Sequence, residues 1–117
     1  MLKTQLHRFW MTCVWSWAGW RAAWRTEASL RQWTVVCLIS CITALWLDLS
    51  RGETALLLAL SVLVVASELI NTAIERTVDL VTREEHDLAR EAKDTGSAFV
   101  ALTALAGGVA WGVILLG

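Results

Sequence analysis

The segment SELINTAIER, residues 67 to 76, puts two carboxylates and an amide at the end of one of the most apolar runs in the chain. At about 100° per helical residue, Glu68, Asn71, Glu75 and Asp79 fall at offsets of roughly 0°, 300°, 340° and 20°, an arc of about 80°. Along the axis this stripe rises about 16 Å from Glu68 to Asp79. Glu68 lies among apolar neighbours, and a carboxylate inside a membrane span is costly enough that it usually marks function. So placed it could act as general base or acid, carry protons across a bilayer, or tie helices together through a buried hydrogen bond. Glu75, nearer water, could hold Mg²⁺, which favours one or two carboxylates together with substrate phosphates. Glu27 is the only acidic residue before Asp48 and could be a second ligand, or a partner of Arg31 one turn on.

Beyond the stripe, REEHDLAREAKDTGSA supplies Glu84, Glu85, His86, Lys93 and Asp94, with Gly96 and Ser97 just after. Lys93 could pair with nucleotide phosphates. Neither a Walker-type glycine loop nor a kinase glycine loop occurs in the chain, so neither familiar phosphate cradle is available. Each of these charges taken singly would more often belong to a solvated face.

The elements that must position these residues follow from hydropathy. The chain has 117 residues, enough for one domain, with 56% hydrophobic residues, no proline and a mean hydropathy of +0.55. That is the composition of a membrane protein. Residues 95–117 contain no charged side chain and span about 30 Å as a helix, the thickness of a bilayer core. Residues 54–74 form a second span carrying only Glu68, and that helix is expected to extend into the cytoplasm to about residue 82. Residues 32–47 form a third, short candidate, with Trp33 and Trp46 bracketing it like interfacial anchors. The turn at 47–54 has Gly52 as its breaker.

Residues 3–31 differ from the spans. Trp10, Trp17 and Trp24 recur every seven residues, with Trp20 beside them and Lys3, Arg8, Arg21, Arg25 and Arg31 on the polar side. This is the pattern of a basic amphipathic helix lying at a membrane surface. Five Lys/Arg precede the first span and four lie in 75–94, against only Arg51 in the other loop. Positive-inside counting therefore puts the N-terminal helix and the 75–94 segment in the cytoplasm and the C-terminus on the far side. Cys13, Cys37 and Cys41 read as small apolar filler, not a disulfide framework.

The segments SWAGWRAAWRTEASLRQ, WLDL, SELINTAIERTVDLV and REAKDTGSA, in this order on three spans, resemble the prokaryotic integral-membrane diacylglycerol kinase family, which includes undecaprenol kinases. The resemblance covers roughly residues 8 to 112. It implies an all-α membrane protein, a homotrimeric bundle with one surface helix and three transmembrane helices per protomer, in the bacterial cytoplasmic membrane. It also implies transfer of the γ-phosphate of MgATP to a lipid hydroxyl, in sites shared between protomers, and no nucleic-acid partner. By the same resemblance Glu68 is the catalytic base with Asn71 supporting it, and Glu27 and Glu75 chelate the metal. Arg8, Trp15, Glu27, Glu75, Glu84, Glu85, His86, Lys93 and Asp94 would bind nucleotide. Arg8, Ser16, Trp17, Arg21, Trp24, Arg31, Gln32, Trp46, Asp48, Glu68 and Ser97 would line the lipid site. Diacylglycerol is the implied substrate and undecaprenol the alternative. Trp33 stands where diacylglycerol kinases often carry glutamate, and Thr54 where a basic residue can occur.

Overall fold

The computed structural model describes all 117 residues as four helices: α1 (Leu2–Thr26), α2 (Ala28–Trp46), α3 (Arg51–Val81) and α4 (Asp87–Leu116). The start of α3 is set by a capping box. The Ser50 hydroxyl accepts from the Glu53 N–H at 3.2 Å, and the Glu53 carboxylate accepts from the Ser50 N–H at 3.0 Å. Two orphan donors are satisfied reciprocally, so the helix begins at Arg51 and Gly52 lies inside its first turn. The stop is Ser50, not the glycine. At the other connection the His86 Nδ1 accepts from the Leu88 N–H at 3.1 Å and starts α4.

Two further boundaries differ from the sequence reading. The segment expected as one surface helix over 3–31 breaks at Glu27, whose backbone is extended at φ −104° and ψ 105°. Residues 28–31 therefore join the first span, and 19 helical residues reach about 28 Å, which removes its apparent shortness. The charged stretch Asp87–Asp94 is continuous with the apolar residues after it in α4. Helices α3 and α4, at 31 and 30 residues, are about 45 Å long and overreach a bilayer core of about 30 Å. Their charged ends must project beyond it.

Three helices, α2 to α4, are long and apolar enough to cross a membrane. α3 is central and packs on both α2 and α4; α1 touches only α2 and α3. The molecule measures 48 × 47 × 23 Å. The long helices account for one of the large dimensions, and the other requires α1 to project sideways from the bundle.

Close approach is achieved with small residues, as is usual where helices meet in lipid. Ala44, Leu57 and Ala110 form the buried cluster, with Leu60, Trp111 and Ile114 packed around it. The Trp111 indole N–H donates to Ser40 Oγ at 2.8 Å, linking α4 to α2. Trp33 is half-buried and lines the crevice between α2, α3 and α4, whereas Trp46 is 86% exposed. Only Trp46 has the exposure expected of an interfacial anchor. Just 13 of 117 residues are buried, and large aliphatic side chains cover the outer faces of the bundle. Water cannot be the solvent for that surface.

Trp111→Phe is expected to lower stability by about 1 kcal/mol through the lost hydrogen bond. Thermal unfolding in detergent checks this, and Ser40→Ala added to Trp111→Phe should cost little more.

Candidate active site at the polar end of α3

Glu68 is only 4% exposed, enclosed with Ser67 and Thr72 on the packed side of α3. Its Oε2 accepts a hydrogen bond of 3.0 Å from Ser29 Oγ, in the first turn of α2. One turn on, the Asn71 Nδ2 donates to Glu75 Oε1 at 3.4 Å. The Asn71 Oδ1 is fully enclosed and has no hydrogen-bond partner. It rests on Gly96 of α4, where an added Cβ would collide with it. Glycine here is a matter of space: α4 can come this close to α3 only without a side chain. Further along the same edge, Lys93 Nζ donates to Asp79 at 2.6 Å. All four stripe residues thus face the joint with α2 or the start of α4.

Glu27 is brought to this edge by the break that follows α1. Arg76 of α3 reaches across to it, with Nη2 2.6 Å from Thr26 Oγ1 and 3.9 Å from Glu27 Oε1. The same nitrogen approaches the Ala22 carbonyl at 3.5 Å, complementing the negative end of α1. Glu27 does not pair with Arg31, whose guanidinium donates to the Trp24 carbonyl instead. Glu75, one residue past the 54–74 apolar segment, has its pKa raised by loss of solvent and by the Glu27 carboxylate, with Lys93 opposing. Asp79, further out, is held below the usual carboxylate range by its hydrogen bond from Lys93. Glu27 and Glu75 are thus near enough for each carboxylate to bear on the other's charge.

Beyond Asp79 a cavity of about 290 Å³ opens between the end of α3, the 82–86 turn and the start of α4. Glu84, Glu85, His86, Lys93 and Asp94 all line it. Arg83, in the turn, and Arg90, in α4, line it too and carry no sequence pattern that marks them out. Arg8 and Trp15 are not brought to this cavity within the protomer. Both are exposed on α1, which makes no contact with α4.

Trp17, Arg21 and Trp24 line a second cavity of about 340 Å³ between α1 and α2, with Trp20, Arg25 and Thr34. The Trp20 and Trp24 rings stack at 5.6 Å. Ser16, Gln32 and Ser97 are exposed, and Arg31 lies close to α1 through Trp24. Trp46 and Asp48 are separated from the rest of this group. They adjoin the start of α3, about 25 Å along the helix from Glu68. Ser29, Arg76 and the packing role of Gly96 went unrecognised in the sequence, because small or basic residues near a polar segment carry no pattern of their own.

Fold and site together define an integral membrane protein whose central span ends in an acidic edge, with a cavity lined by charges of both signs beyond it. The chain matches the family model described as prokaryotic diacylglycerol kinase over residues 14–115. A diacylglycerol kinase of Pseudomonas aeruginosa is 46% identical over 117 residues, covering 98% of this chain and 94% of the relative. Its counterpart in Escherichia coli K12 is 40% identical over 100 residues, covering 86% and 82%. That of Haemophilus influenzae is 35% identical over 100 residues, covering 83% and 82%. The chain belongs to the prokaryotic diacylglycerol kinase family. It is accordingly an enzyme of the kinase class, which displaces the reading of Glu68 as the proton carrier of a transporter.

Gly96→Ala is expected to push the Asn71 amide off its seat, costing about 1–3 kcal/mol as overpacking does. The melting midpoint and the kinase turnover should fall together. Parental values of both would show that α4 can move aside freely.

Proposed function

We propose that this protein transfers the γ-phosphate of MgATP to the hydroxyl of 1,2-diacylglycerol, giving phosphatidic acid and ADP, in phospholipid recycling. The observation that carries this reading is the placement of Glu68. A buried carboxylate lies at the lipid end of an acidic edge whose other end opens on a cavity bearing Lys93, Arg83 and Arg90. An apolar alcohol and a polar triphosphate can meet along such an edge.

In the proposed reaction Glu68 accepts the proton of the acceptor hydroxyl as its oxygen bonds to the γ-phosphorus. The bond from that phosphorus to the β,γ-bridging oxygen breaks, and the electron pair leaves with ADP. Phosphoryl transfer asks little covalent chemistry of a protein beyond positioning and charge stabilisation. Lys93, Glu84, Glu85, His86 and Asp94 bind the nucleotide, and Asn71 supports the base while holding Glu75. Trp17, Arg21, Trp24 and Arg31, with Ser16, Gln32 and Ser97, contact the lipid near the headgroup. Trp46 and Asp48 meet it only through a chain reaching most of the bilayer depth.

The donor set fits a hard divalent cation. Glu27 and Glu75 offer carboxylate oxygens from two elements, and no cluster of three or more His, Cys, Asp or Glu side chains converges anywhere in the protomer. Mg²⁺ needs no all-protein cage, because phosphate oxygens and water complete its shell. When bound, the ion would neutralise phosphate charge.

The homotrimer with shared sites rests on the family resemblance. In that arrangement Arg8 and Trp15, which lie too far out on α1 to serve the cavity of their own protomer, would serve a neighbour's. The basic, tryptophan-striped α1 projects sideways as a helix at the cytoplasmic membrane surface would. The positive-inside asymmetry supports a cytoplasmic Glu75–Asp94 region and a periplasmic C-terminus.

Purified protein in mixed micelles with MgATP and diacylglycerol should form phosphatidic acid, and clear preference for undecaprenol in a parallel assay would reassign the lipid. Glu68→Gln should cut turnover by roughly a hundredfold or more while nucleotide still binds. Glu27→Ala and Glu75→Ala should each raise the Mg²⁺ concentration giving half-maximal rate; an unchanged requirement would remove them from the metal site.

A further inference from the structure

The Glu68 carboxylate is asymmetric in its surroundings. Oε2 is tied to Ser29 Oγ at 3.0 Å, whereas Oε1 has no protein partner and is not fully enclosed. No other side chain or backbone group donates to this carboxylate. The hydroxyl of the adjacent Ser67 is committed to the Val64 carbonyl at 2.6 Å. Ser29 in turn stands two residues past the extended Glu27, in a helix start that has no side-chain cap. The partial positive charge of that uncapped turn favours an anion beside it.

We propose that Ser29 is a positioning residue for the base: it holds Oε2 so that Oε1 is the oxygen presented to the acceptor hydroxyl. The assignment rests on the reading of Glu68 as the base. A carboxylate free to turn about its last torsion, which is broad and roughly twofold, presents either oxygen in a range of orientations. One anchored by a charge-assisted hydrogen bond presents a single lone-pair direction. Because Ser29 belongs to α2, the anchoring also makes the base report on the α1–α2 joint, the same joint that carries Glu27 to the edge of Glu75. Base and candidate metal ligand are thereby set by one backbone break. Nothing about Ser29 in the sequence marks it out, since its partner lies 39 residues away.

The full-length protein in mixed micelles tests this with Ser29→Ala, Ser29→Thr and Glu68→Gln assayed side by side. Ser29→Ala should lose roughly tenfold or more in kcat, the scale on which misplacing a reacting group acts, with KM for ATP and for diacylglycerol within about twofold of the parent. Its melting midpoint in detergent should stay close to that of the parent. Ser29→Thr keeps the donor and should recover most of the lost kcat. A parental kcat in Ser29→Ala, a loss carried by KM, or a loss that threonine fails to restore would overturn the assignment. If Glu68→Gln is inactive while Ser29→Ala turns over normally, only the role of Ser29 falls. If Glu68→Gln itself turns over normally, the base assignment falls with it.

Discussion

A carboxylate enclosed between helices at the end of an apolar span has to be held by something, and in this protein the first turn of α2 holds it. The Ser29–Glu68 hydrogen bond joins the first turn of α2 to α3 at the level where the apolar segment gives way to charge. Several neighbouring polar groups are placed beside that meeting. The chain must break at Glu27 for α2 to start there, and the break leaves Glu27 itself at the polar edge of α3. Arg76 then closes the joint from the other side by taking up Thr26 and the end of α1.

The opposite flank of α3 is governed by approach distance. Gly96 allows α4 to press against Asn71, which directs the amide nitrogen to Glu75 and leaves its oxygen enclosed. A little further out the same two helices are joined by Lys93 and Asp79, both partly exposed. A pair so placed adds little to stability. Its consequence is geometric: it keeps the amine at the rim of the charged cavity beyond α3. Polar groups thus succeed one another along a single helix, from an enclosed carboxylate to a solvated ion pair, as the surroundings pass from apolar to aqueous.

The arrangement gives a physical reason for a long, unbroken α3. A soluble helix could present an acidic edge, and a membrane helix could bury one carboxylate. Joining reactants of opposite solubility requires both on one rigid rod. With 31 residues and a capping box at its far end, α3 overreaches the bilayer core by several turns, enough to carry Glu75 and Asp79 out of the apolar layer. The small buried cluster around Ala44, Leu57 and Ala110 keeps that rod aligned between its neighbours.

Much of this was legible in the residues themselves. Hydropathy located three spans, and the 3.6-residue period aligned Glu68, Asn71, Glu75 and Asp79, since both depend only on residues near one another in the chain. The grouping of Glu84, Glu85, His86, Lys93 and Asp94 was likewise local, all within one turn and the helix that follows. Helix ends were less legible: Gly52 drew attention away from the Ser50–Glu53 box, and nothing announced a break at Glu27, where no glycine or proline stands. Ser29 meeting Glu68, Arg76 meeting Thr26 and Gly96 meeting Asn71 were decided by tertiary structure alone. Each joins side chains from different helices, and no periodicity within one helix specifies which residue of another will come to rest against it.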